Sequence, residues 1–145
     1  MTRRNVLVAL ALIVAGCGGS SSSSPGDVAR ATVTDQANGK TGGIWDRAHP
    51  DMQARMSKAS YVACVTAFGG SPQQVTTKVI EDLPGTYSTT AGAQLDVHAV
   101  TVRLTVKTGQ SLSEQVWLTK VDAAWRVVQI MQPGLTEDKA CLKRL

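Results

Sequence analysis

The sequence predicts an α+β domain: N-terminal helices packed on a curved, cone-like, four-stranded antiparallel sheet. In the first half, apolar residues recur at helical spacing between capping and breaking residues. Beyond Pro72 the period changes to alternation, and short turns separate several strand-like segments. Helices first and then a run of strands is the order of an α+β layer structure.

The chain opens with a segment that is not part of that domain. Met1 to Arg4 is short and basic, and Val6 to Ala15 is uninterruptedly apolar, the layout of an export signal over residues 1–16. The run is too short to span a bilayer as a helix. Val14-Ala15-Gly16-Cys17 sets small residues directly before a cysteine and resembles the bacterial lipobox, whose thiol takes diacylglycerol and becomes the new N-terminus. Thr2-Arg3-Arg4-Asn5-Val6-Leu7 also resembles a twin-arginine export motif, but the short basic region and very apolar run fit the general secretory route better. Acyl chains on Cys17, palmitate among them, are expected to hold the protein on the outer face of the cell membrane, or on the outer membrane where the envelope has one. Each buried methylene contributes about 0.8 kcal/mol, so two or three chains make attachment effectively permanent. Residues 17–26 add Gly18-Gly19, five serines and Pro25-Gly26, a composition that reads as a flexible tether. The single folded domain is expected over 27–145.

Asp27 is the expected N-cap of the first helix, which Asn38-Gly39 ends, with a turn at Thr41-Gly42-Gly43. Ile44, Trp45 and Ala48 form a second short helical face, and His49-Pro50 interrupts it. Pro50 starts a third helix carrying Met52 and Met56, and Ser57 caps a fourth over Lys58–Ala67 with Tyr61, Cys64, Val65 and Phe68 inward. Val75 to Leu83 alternates as a strand, Pro84-Gly85 reads as a turn, and Tyr87 to Ala93 reads as loop or frayed edge. In the next strand, Gln94 to Lys107, Leu95 and Val97 have one parity and Val100, Val102, Leu104 and Val106 the other. A bulge near His98-Ala99 would restore one apolar face and bend the strand. Glu114–Val121 and Trp125–Met131 form a final hairpin, although Asp122-Ala123 lacks the glycine preferred there.

Without Arg3 and Arg4, the 15 basic residues fall to 13 against 11 acidic ones, a net charge of +2. No basic stripe with interleaved aromatics is present, so no nucleic-acid partner is expected. Cys64 and Cys141 form an even pair, expected outside the cytoplasm as a disulfide pinning the C-terminal tail to a helix. Closing so long a loop contributes at most roughly 4–5 kcal/mol.

The element order, the long bulged strand and the terminal Trp125-Arg126-Val127-Val128 resemble the nuclear transport factor 2-like, or cystatin-like, α+β cone superfamily. Trp45 through His49-Pro50 to Tyr61-Val62-Ala63-Cys64 looks like the helical half of its small exported members. The resemblance implies a conical cavity as the natural ligand site, and dimerisation through the open sheet face as a common association. It does not fix an activity, because the superfamily holds isomerases, dehydratases, transport adaptors and domains with no known activity.

Two constellations bear on catalysis. Asp96 and His98 stand at i and i+2 on one strand, but Leu95 and Val97 claim the inward direction, so the pair is expected to face solvent. His49 and Asp51 flank Pro50, where a loop histidine and a helix-start aspartate suffice as an explanation. Neither histidine has a second ligand at useful spacing for zinc, no Gly-x-Ser-x-Gly elbow occurs, and no phosphate-cradling glycine loop is present. No cofactor, metal or catalytic residue is therefore assigned. Trp45, Met52, Met56, Tyr61, Val102 and Leu104 are the candidate apolar lining of a ligand site, with core packing as their alternative role. Trp117 is expected on the outer sheet surface, either as a partner face or covered by the C-terminal tail. The expected activity is non-enzymatic binding of a small apolar ligand or an envelope protein. The alternative is a small cofactor-independent lyase or isomerase using an Asp or His in the cone.

Overall fold

The computed structural model describes residues 23–68 and 71–131. Four helices, α1 (Pro25–Ala37), α2 (Thr41–Asp46), α3 (Pro50–Arg55) and α4 (Lys58–Phe68), precede four strands. These are β1 (Val75–Ser88), β2 (Gln94–Val106), β3 (Ser111–Val121) and β4 (Ala124–Met131), an open antiparallel sheet in the order β1-β2-β3-β4. The α+β class and the helices-then-sheet order are as the sequence predicts.

The first helix starts earlier than Asp27. Ser24 is the N-cap: its hydroxyl accepts from the Asp27 backbone N–H at 3.1 Å, while the Asp27 carboxylate accepts from the Ser24 backbone N–H at 3.3 Å. This reciprocal pair satisfies two groups that would otherwise be orphaned, and Pro25 takes the first helical position, where its missing N–H costs nothing. The Ser24 donors also hold the Asp27 carboxyl below its ordinary pKa. Thr41-Gly42-Gly43 likewise differs from expectation, being the first turn of α2. A Cβ at Gly43 would stand 2.9 Å from Asp35 Oδ2 and would have to displace that carboxylate. Asp35 pairs with Arg47, which also donates to the Gly43 carbonyl, so α1 and α2 are tied at this point. Ser57 caps α4 as expected, accepting from the Ser60 N–H at 3.1 Å.

Strand β1 runs on through Pro84-Gly85 to Ser88, pairing continuously with β2, so no turn occurs there and Tyr87 is a buried strand residue. Proline is tolerated because β1 is an edge strand whose outer N–H positions need no partner. The β2 bulge expected at His98-Ala99 is absent. The pairing of β2 with β1 is unbroken from Glu81↔Thr101 to Ser88↔Gln94. The extra residues lie instead in the two edge strands: Ile80, between Val79↔Val102 and Glu81↔Thr101, and Val128, between Trp117↔Gln129 and Leu118↔Val127.

Because β2 alternates without a slip, its two apolar sets face opposite sides. Val100, Val102 and Leu104 join Val116, Leu118 and Val127 beneath Ala29 and Val33 of α1. Val97 and Leu95 face the other way, packing with Tyr87, Trp117 and Val128 against Ala48 and Met52. The helical half therefore covers both faces rather than one: α1 on the first, the α2–α3 segment at the β4 end of the second. Val128 reaches that second cluster because it follows Val127 on the strand, and successive side chains point to opposite faces.

Candidate functional site

The residues proposed from sequence as a ligand lining do not assemble in one place. Val102 and Leu104 lie under α1. Met52 belongs to the cluster on the opposite face. Trp45 and Met56 are partly buried in the helical layer, joined by the indole Nε1–H donating to the Met56 carbonyl at 3.3 Å. Tyr61 is buried on α4, and burial pushes its phenol up to about 12. Trp117 lies on the face away from α1, as expected, half-buried edge-to-face with Tyr87 at 5.7 Å and donating to Gln115 Oε1. Cys64 is disulfide-bonded. Cys141 and Cys17 lie outside the described residues, as does the side chain of Phe68.

Of the two histidines, His49 has a structural task. Its Nδ1 accepts from the Asp51 N–H at 3.2 Å, capping α3, and its side chain is only 12% exposed. Desolvation, with Arg126 nearby, lowers its pKa against the opposing pull of Asp51. The imidazole is therefore neutral at pH 7, which its acceptor role requires.

His98 is different. Strand alternation puts it on the α1 face, in line with Val100 and paired across to Leu118 and Pro84. Its carboxylate is not Asp96, which is exposed, but Asp82 of the neighbouring strand, with Nδ1 and Oδ1 2.6 Å apart and each side chain 34% exposed. An ionised carboxylate only accepts, so Nδ1 is the donor in this contact and Nε2 is turned away from Asp82. The ring of Trp125 meets the imidazole edge-on at 4.9 Å, and Lys120 Nζ stands 6.0 Å from the Trp125 centroid. Asp82, His98, Lys120 and Trp125 thus form a half-exposed polar and aromatic group on the same sheet face that α1 covers elsewhere. Sequence reasoning found His98 but missed Asp82, because the partner depends on β1–β2 register and not on local spacing.

A further carboxyl on this face escaped the sequence reading. Glu114, opposite Val102 on β3, is 7% exposed and its Oε2 has no hydrogen-bond partner. Burial pushes its pKa up to about 7. Among the described residues, no His, Cys, Asp and Glu side chains gather into a group able to hold a metal ion, and no helix is long and apolar enough to cross a membrane. Comparison with protein-family models, curated proteins and solved structures gives no match.

Proposed function

We propose that this chain is an exported lipoprotein, anchored by lipid on Cys17, whose domain is a non-enzymatic binding module for a small apolar ligand or an envelope protein. The observation that carries the binding reading is the Asp82–His98–Trp125–Lys120 group. It presents an indole edge, an oriented imidazole and a cation side by side on a face whose remainder is sealed by α1. A few placed polar groups beside aromatic surface are what a recognition site needs. The Cys17 anchor rests on the signal and lipobox-like sequence, and the superfamily likeness on the order of helices and strands. In that likeness the sheet face bearing His98 is the cavity wall.

Native mass spectrometry of the lipoprotein, extracted in detergent from an export host, tests the reading. Diacylglycerol mass on the N-terminal cysteine and a co-purifying adduct lost on Trp125→Ala are the expected results. Unmodified Cys17 overturns the anchor. The absence of any adduct or captured partner, or full retention in the variant, overturns the binding site.

One observation favours a second reading, a cofactor-independent lyase or isomerase. The Asp82-oriented His98 leaves Nε2 free to take a proton from a substrate, the arrangement of a general base. In that case His98→Gln abolishes turnover while leaving binding of the cargo intact.

A further inference from the structure

Glu114 sits where the sheet narrows. The last pair between β3 and β4 is Gln115↔Met131, so among the described residues Ser111 to Glu114 pair with β2 alone, from Val102↔Glu114 to Thr105↔Ser111. Strand alternation puts the Glu114 side chain on the α1 face with Val102, Leu104 and Val116. Glu114 is 7% exposed, whereas Leu112, two residues nearer the β2–β3 turn on the same face, is 47% exposed. The cover over this face therefore ends within one pleat of the carboxyl.

Among the described residues, no cation compensates Glu114. On α1, Asp27 pairs with Arg30, and Asp35 pairs with Arg47 of the α2 end. Lys78 and Arg103 stand opposite each other, and Glu81 opposite Thr101, all on the face away from α1. Arg126 of β4 is on that far face too, opposite Thr119 and donating to the Asp46 carbonyl. On the α1 face itself, Asp82 is held by His98, and Lys120 lies by Trp125. The Glu114 Oε2 has no hydrogen-bond partner, and burial is the cause that raises its pKa to about 7. A neutral carboxyl is tolerable among valines and leucines, but an unpaired carboxylate is not. Fraying four strand pairs from the turn inward brings it to water with far fewer broken contacts than unfolding the domain.

We propose that the turn end of the β2–β3 hairpin is a pH-sensitive switch, in which ionisation of Glu114 frays the pairs from Thr105↔Ser111 to Val102↔Glu114 and protonation closes them. Leu104, 5% exposed when closed, comes to water beside Leu112 in the open form. The open form thus presents an apolar edge next to a carboxylate, and the closed form withdraws both.

Amide hydrogen exchange of the full chain, read as protection factors between pH 5 and pH 8.5, tests this. The amides of residues 111–114 are expected to be at least tenfold less protected at pH 8.5 than those of residues 97–100, which lie deeper in the sheet. Their protection should also fall by roughly fifty- to a hundredfold across that range, because the frayed form releases the proton near pH 4.5 and the closed form near 7. Glu114→Gln keeps the shape and removes the ionisation, so its protection at 111–114 should be flat with pH. Protection at 111–114 equal to that of 97–100 overturns the proposal, since Glu114 would then reach water only by global unfolding. Weak but pH-independent protection in the parent overturns it as well, because the fraying would not then hydrate the carboxyl.

Discussion

The two edges of the sheet are handled in opposite ways. At the β4 edge, both outward backbone groups of Val127 are satisfied: its N–H donates to the Arg47 carbonyl at 2.8 Å, and its carbonyl accepts from the His49 N–H at 2.9 Å. The segment between α2 and α3 acts there as a single-bridge fifth strand, and Arg126 reinforces it by donating to the Asp46 carbonyl. The β1 edge has no such cover among the described residues and carries the devices that discourage strand addition: a bulge at Ile80, Pro84, and the charged Lys78, Glu81 and Asp82. Among the described residues, one edge is packed into the core and the other carries no covering segment. Changes at the first should therefore cost stability, and changes at the second should alter contacts without it.

The largest expected effect is at the closed edge. Ala48 is fully buried between Val127 and the second cluster, so Ala48→Asp places an unpartnered carboxylate there and should destabilise by about 4 kcal/mol or more in chemical denaturation. A loss below about 1 kcal/mol would mean that the α2–α3 segment lifts away easily and that the two edges are alike.

Next comes Glu114, one residue past the last β3–β4 pair, Gln115↔Met131. Burial raises its folded pKa from the ordinary 4.5 to about 7, so the folded state holds the proton more tightly than the unfolded state. The associated stability is complete below pH 4.5 and is lost as pH rises to about 7. By linkage the loss amounts to about 3 kcal/mol. Glu114→Gln should therefore be more stable than the parent by up to that amount at pH 8, with the gap closing toward pH 4. A pH-independent difference would refute the buried, unpartnered carboxyl. Comparing the two proteins at each pH also cancels the opposite contribution of His49. Its lowered pKa costs stability as pH falls below 6.5.

A smaller gain is expected at the hairpin feeding the closed edge. Asp122 and Ala123 both have positive φ, 48° and 66°, the backbone of a type I′ turn. Alanine pays a steric cost there that glycine does not, so Ala123→Gly should raise stability by about 1 kcal/mol, read as an increase in melting temperature. At the open edge, Leu83→Ser should shift stability by less than about 0.5 kcal/mol. A larger loss would show that β1 is covered after all.

Much of this architecture is legible from local pattern. The four helices, the change of period after Pro72, Ser57 as a cap and the Asp122-Ala123 hairpin each depend on a few adjacent residues. The misplaced features share a different origin. Pro84-Gly85 looks like a turn until β1 is known to be an edge strand, where proline is harmless. The parity break between Val97 and Val100 looks like a bulge if only one face is assumed buried, yet the Ala48–Met52 segment buries the second face as well. The candidate ligand lining scattered for the same reason, since hydrophobicity identifies Met52, Tyr61 and Val102 as interior without saying which interior. Asp82 was invisible as the partner of His98 because 16 positions of chain and the β1–β2 turn separate them.

The sequence by itself determined the order and kind of the elements, the export and anchoring expectation, and which side chains leave water, because these follow from periodicity, capping and apolar content. Only the tertiary structure decided register, and with it the two bulges, the closing of one edge, the carboxylate at His98 and the stranded carboxyl of Glu114. Those depend on which strand lies alongside, and a one-residue slip in pairing turns every side chain to the other face.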